Sequence, residues 1–217
     1  WGKHSPASWR FKLKAAEAGD IKHQDYVLPV VVIKDPYTWM TSMCRHSYSA
    51  NWRHSPNHCP NLVVLDKDAI LKKTIGEGNP VPVNVHYTDD NITHHESLVG
   101  LWNDYYSGWY MDASFPRVIV RFEDLLFHAE EVITEVCHCG GGEMTENFTY
   151  IAESAKTGDV HAGALGLIQS ISRYGNSTLR FEPYTHDDLE YATNELDVDL
   201  LIDFRYDDDE VENILQQ

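Results

Sequence analysis

Hydrophobic positions along this chain gather in short blocks separated by polar, turn-forming stretches. From Tyr26 to Ile33 the sequence is apolar throughout, and Val30-Val31-Val32-Ile33 is a β-branched run. Such a block predicts a strand buried on both faces, as in a parallel sheet. Pro36 suits the first turn of a helix, which the pattern predicts over roughly 36–47 with Trp39, Met40 and Met43 on one side. A second clean strand reads from Arg117 to Phe122. Glu123 and Asp124 then suit the positive end of a helix. Leu125, Leu126, Ala129, Val132, Ile133 and Val136 follow at helical spacing, and Gly140-Gly141-Gly142 stops the run.

Residues 49–61 are rich in Asn, His, Ser and Pro and read as loop. Leu62–Leu65 and Pro82–Tyr87 read as short strands, so that 49–97 forms an insertion or loop region. A helix is predicted from near Asn91 or Thr93. Its Leu98, Leu101, Trp102, Tyr105, Tyr106 and Trp109 form a broad aromatic face whose simplest use is core packing. Shorter helices are predicted over residues 10–18, 161–174, Asp187–Asn194 and Val198–Phe204. Two strands each followed by a helix, with a helical crossover between them, specify an α/β architecture with a parallel sheet flanked by helices. A length of 217 residues fits one domain, with 181–217 as acidic C-terminal helices.

Charge narrows the range of partners. The formal net charge is −17, and residues 181–217 hold 13 acidic residues against the single base Arg205. The basic side chains Lys3, Arg10, Lys12, Lys14 and Lys22 gather at the other end. An acidic chain of this kind lacks the basic face that DNA or RNA requires. It does not exclude a small phosphate compound held in a local pocket. No apolar run is long enough to span a bilayer, so the expected membrane link is only an anchor upstream of Trp1.

Four cysteines are present. Cys137-His138-Cys139 is too tightly spaced for a zinc knuckle, and His54, His58 and Cys59 lack a second ligand pair, so no metal is expected and these histidines read as scattered surface residues. Cys44 and Cys59 flank a loop and suit either a disulfide or two buried thiols. The sequons Asn91-Ile92-Thr93, Asn147-Phe148-Thr149 and Asn176-Ser177-Thr178 favour a secretory compartment.

The segment with most chemical content is Val30 to Met43. A strand delivers Lys34 at its carboxyl end, Asp35-Pro36 follows, and a hydroxyl, Ser42, lies eight positions beyond the lysine. A cation at a strand end beside a helix start is a phosphate-binding layout.

These residues give the chain its resemblance to the PAPS-dependent sulfotransferases, P-loop-like proteins that move a sulfuryl group from 3′-phosphoadenosine 5′-phosphosulfate (PAPS) to an acceptor. The family carries Arg-Asp/Asn-Pro at a strand end and a serine eight residues on, which bind the 3′-phosphate; Lys34-Asp35-Pro36 and Ser42 hold those places here. Lys for Arg keeps the charge and loses the two-pronged geometry. Val118 to Leu125 resembles the family's strand ending in aromatic-Glu-Asp-Leu, which implies that Phe122 lies near the adenine. Leu98-Val99-Gly100-Leu101-Trp102 and the ending from Tyr184 to Tyr206 are also similar to family segments. Gly2-Lys3-His4-Ser5-Pro6 resembles the family's Lys-x-His-x-Pro, which implies His4 as the base that takes the acceptor's proton. Imidazole suits that task near neutral pH. The family's Gly-rich phosphosulfate loop with its lysine is not among these residues, and its C-terminal Arg-Lys-Gly signature has at best a weak echo in Lys156-Thr157-Gly158. The expectation is therefore an N-terminally truncated member, lacking the fold's first strand and that loop.

The resemblance implies an O-sulfotransferase that uses PAPS as donor, without a metal, and acts on a hydroxyl-bearing small molecule or glycan, with a carbohydrate favoured and the Golgi lumen or secretory pathway as location. The alternative is a sulfotransferase-like module without catalysis, holding a glycan or protein partner through Trp52, His54, His58, His94 and His95. A nucleotide-kinase reading would need a Walker lysine and an acidic metal site that the sequence does not offer.

Overall fold

The computed structural model of the chain describes residues 5–10, 26–88, 90–145, 148–153, 166–207 and 210–216. In chain order the elements are β1 (Val30–Ile33), α1 (Pro36–Arg45), β2 (Ala50–Asn51), α2 (Ala69–Thr74), β3 (Val83–Thr88), β4 (Asn91–His95), α3 (Leu98–Ser107), β5 (Val118–Arg121), α4 (Phe122–Phe127), α5 (Ala129–Cys139), α6 (Leu167–Tyr174), α7 (Ser177–Phe181), α8 (His186–Glu195), α9 (Val198–Asp203) and α10 (Glu210–Leu215). This is an α/β chain. Its described residues divide into two compact units. One is built from Val27–Asp35 and Phe115–Arg180; the other takes Pro36–Ser114, Phe181 onward and the described residues before Val27. The predicted helix at 10–18 lies outside the described residues but for Arg10, and the predicted helix at 161–174 is described only from Gly166.

In the first of these units β1 and β5 pair in parallel, with Val30 opposite Val118 and Ile33 opposite Arg121. The long connection between them is what a parallel pair requires. Val31 and Ile33 are buried, but Val30 is 48% and Val32 41% exposed, so the expectation of burial on both faces fails. The strand alternates instead, and the side chains of a two-stranded sheet reach cover on one face only. The helical run after β5 is two helices rather than one. His128 leaves helical geometry at φ −136°, ψ 42°, and α5 restarts behind it with its apolar positions half-buried.

In the second unit β2, β3 and β4 form an antiparallel sheet in that order. The helix predicted near Asn91 is instead β4. The β-branched Ile92 and Thr93 pair with His86 and Val85, and the helix waits for Ser97, whose hydroxyl accepts the Gly100 N–H at 3.2 Å. From there α3 buries Leu98, Val99, Leu101, Trp102 and Tyr106 and continues into a π-helical turn that buries Trp109. The aromatic face is core. The other buried residues of this unit include Val83 and Val85 of β3, Met40, Leu62, Val64, Val81 and Leu200. Cys44 and Cys59 form a disulfide with Cα atoms 6.0 Å apart, while Cys137 and Cys139 are free thiols. No described helix is long and apolar enough to cross a membrane.

Candidate functional site

The parallel register brings two sequence motifs to one edge. Lys34 follows β1 directly, Phe122 follows β5 directly, and the last paired residues of the two strands are Ile33 and Arg121. The Lys34 ammonium therefore stands over the Phe122 ring, 4.5 Å from its centre. A third residue closes on it from α6. Tyr174 offers its ring 4.3 Å from the same nitrogen, and Lys34 Nζ donates to the Tyr174 hydroxyl at 3.1 Å. The two rings meet edge to face with centres 5.1 Å apart. A cation between two π faces gains about 0.5–2 kcal/mol in total from each well-placed ring, more as water is excluded.

The adjacent residues are fixed by charge. Asp35 is 3% exposed, and its carboxylate accepts from Arg180 Nη1 at 3.1 Å. Its backbone N–H donates to Glu123 Oε1 at 3.2 Å. Glu123, expected to serve the N-terminus of α4, thus also ties the end of β1 to the end of β5. Three sequence-distant segments converge here: Lys34-Asp35, Phe122-Glu123, and Tyr174 with Arg180.

Of the residues singled out by sequence, Lys34 and Phe122 are brought together. Ser42 belongs to the other unit, where its hydroxyl donates to the Thr38 carbonyl one turn back at 2.7 Å. His4 lies outside the described residues. Tyr174 and Arg180 were not anticipated. They follow the least legible part of the sequence, and no spacing rule links them to Lys34.

A different polar cluster lies in the second unit and was also missed. Asp188 is fully buried and its carboxylate receives five hydrogen bonds. Leu62 N–H donates at 2.7 Å, Val63 N–H at 3.3 Å, Thr185 through N–H at 3.1 Å and hydroxyl at 2.7 Å, and His58 through Nε2 at 2.9 Å. Burial alone would raise the carboxyl's pKa, but the hydrogen bonds from His58, Thr185 and Leu62 outweigh it and hold the group below the ordinary carboxylate range. The sequence signal was Thr185-x-x-Asp188, a capping box at the start of α8. His58, read as a surface residue, is 5% exposed because this carboxylate holds it inside.

The other residues named for a binding module are also engaged within the chain. Trp52 is buried, donates to the Pro60 carbonyl at 2.7 Å and stacks on His54. His94 meets Asn84 Oδ1 at 2.6 Å, and His95 meets Asp104 and Thr93. Among the described residues no group of three or more His, Cys, Asp or Glu side chains is placed to hold a metal ion.

Comparison of the chain with protein-family models, with curated proteins and with solved structures gave no match.

Proposed function

We propose that the chain is a PAPS-dependent O-sulfotransferase domain with the P-loop-like fold of that family, acting on a hydroxyl acceptor, with a carbohydrate favoured, in the Golgi lumen or secretory pathway. The observation that carries the reading is the convergence of Lys34 and Phe122 at one end of a parallel strand pair, with Tyr174 beside them. Ligands of open α/β sheets bind at the carboxyl ends of the strands. A cation flanked by ring faces matches the two parts of a nucleotide end, a phosphate and a purine. Of the two carboxylates in the cluster, Asp35 is paired with the Arg180 guanidinium. The disulfide supports the location, because such bonds persist in oxidising compartments.

In this reading Lys34 holds the 3′-phosphate and Phe122 the adenine. His4 keeps its role as base by resemblance alone. The acceptor oxygen bonds to sulfur as the bridging S–O bond to the adenosine bisphosphate breaks, and the acceptor's proton passes to the base. Cations stabilise the charge that gathers on the leaving oxygens.

Calorimetric titration with adenosine 3′,5′-bisphosphate (PAP), the desulfated donor, tests the assignment. Lys34→Ala is expected to weaken binding by about 10- to 100-fold, the value of about 1.5–3 kcal/mol for hydrogen bonds to a charged group. Equal binding by the variant and the wild type removes Lys34 from the site. Binding of PAP without transfer to any hydroxyl acceptor would favour the non-catalytic module.

A further inference from the structure

We infer that Asn176 carries an N-linked glycan. The inference stands apart from the sulfotransferase reading and rests on which sequon asparagine, among the described residues, is exposed. Asn147 lies outside the described residues. Asn91 opens β4 opposite Thr88 and is half-buried, and the hydroxyl of its sequon partner Thr93 is bonded to His95 Nε2 at 2.9 Å. That sequon is built into an antiparallel sheet, where a branched, hydrated sugar has to share space with cross-strand neighbours.

Asn176 is placed differently. It is exposed and lies in the two-residue turn between α6 and α7. Gly175 ends α6, its N–H donating to the Ile171 carbonyl at 2.9 Å, and Ser177 opens α7. A Cβ at position 175 would come within 2.8 Å of that same carbonyl, so glycine is what lets the chain turn this sharply. A bulky, solubilising group belongs on such a surface turn. The second observation is the Cys44–Cys59 disulfide, which is consistent with an oxidising compartment, where sequons are read.

The donor is a polyprenyl-diphosphate-linked oligosaccharide. Its C1–O bond to the diphosphate breaks, a bond forms from sugar C1 to Asn176 Nδ2, and one amide proton leaves with the released diphosphate. The chain should be secreted from a eukaryotic host behind a cleavable signal sequence and digested with a peptide N-glycosidase. Digestion is expected to shift its mobility and to convert Asn176 to Asp in the peptide that spans it. Asn176→Gln and Thr178→Ala should each lose one mobility step, whereas Thr178→Ser, which preserves the sequon, should keep it and separates glycan loss from misfolding. Recovery of the Asn176 peptide wholly unmodified from secreted chain, or occupancy at Asn91 or Asn147 alone, overturns the inference.

Discussion

Each unit of the molecule has a charged side chain that gathers distant segments, and the two solve opposite problems. In one, Asp188 is a buried anion that receives five donors from three places in the sequence. In the other, Lys34 is a part-exposed cation held by a phenol and two ring faces. Five donors use up the acceptor capacity of a carboxylate, about four lone-pair sites, so Asp188 has nothing left for a ligand. Rings and a phenol are neutral. They orient the ammonium through a hydroxyl and two ring faces. Saturation of an anion therefore marks the structural cluster, and a cation set between ring faces at the carboxyl ends of parallel strands marks the candidate site.

The strongest attack on this contrast is Asp188→Ala. It would leave His58, Thr185 and two backbone N–H groups without their acceptor, and each buried donor orphaned in this way costs about 1–3 kcal/mol. The urea midpoint of unfolding should fall accordingly; a loss below about 1 kcal/mol would mean that the cluster tolerates rearrangement and is not the pin of its unit.

The acid limb sharpens the same point with a smaller effect. Asp188 has a folded pKa below its unfolded one, so it contributes stability above the ordinary carboxylate value of about 3.9. That contribution is lost as pH falls through the lowered folded value. Stability measured against pH should thus decline steeply at the acid end in the wild type and more gently in Asp188→Asn. Parallel curves would assign the acid sensitivity to other carboxylates. Lys34→Ala comes next in size and acts on the other side of the contrast. It should move PAP affinity by the 10- to 100-fold argued above, a loss of about 1.5–3 kcal/mol, and leave the unfolding midpoint shifted by no more than a cation–π contact explains, about 0.5–1 kcal/mol.

Legibility followed the same division. The ends of β1 and β5 were readable because apolar runs, Pro36 and the Glu123-Asp124 pair are local signals. The meeting of Lys34 with Phe122 then follows from parallel pairing alone. The exposed face of β1 was not readable, since a β-branched run looks alike whether one face or both are covered. Nor was β4. Its Asn91 and Thr93 resemble helix caps, and only the cross-strand partners in β3 decide for a strand. Tyr174, Arg180 and the His58–Asp188 pair depend on contacts across 130 or more residues, which local pattern does not encode. Thr185-x-x-Asp188 has the spacing of a capping box, but the second task of the Asp188 carboxylate leaves no local mark.

The smallest effect tests what orients Lys34. Tyr174 contributes two separable things, a hydroxyl that accepts from the ammonium at 3.1 Å and a ring face 4.3 Å away. Tyr174→Phe removes the first and keeps the second. A hydrogen bond to a neutral phenol is worth about 0.5–1.5 kcal/mol net, so PAP affinity should fall by only about 2- to 10-fold. Tyr174→Leu removes both and should fall further by the value of one π contact, about 0.5–1 kcal/mol. If Phe and Leu at this position behave alike, the ring face contributes nothing and the hydroxyl alone sets the lysine. If Phe matches the wild type while Leu does not, orientation comes from the π faces, and the neutral cage described above is the part of the cluster that a phosphate site depends on.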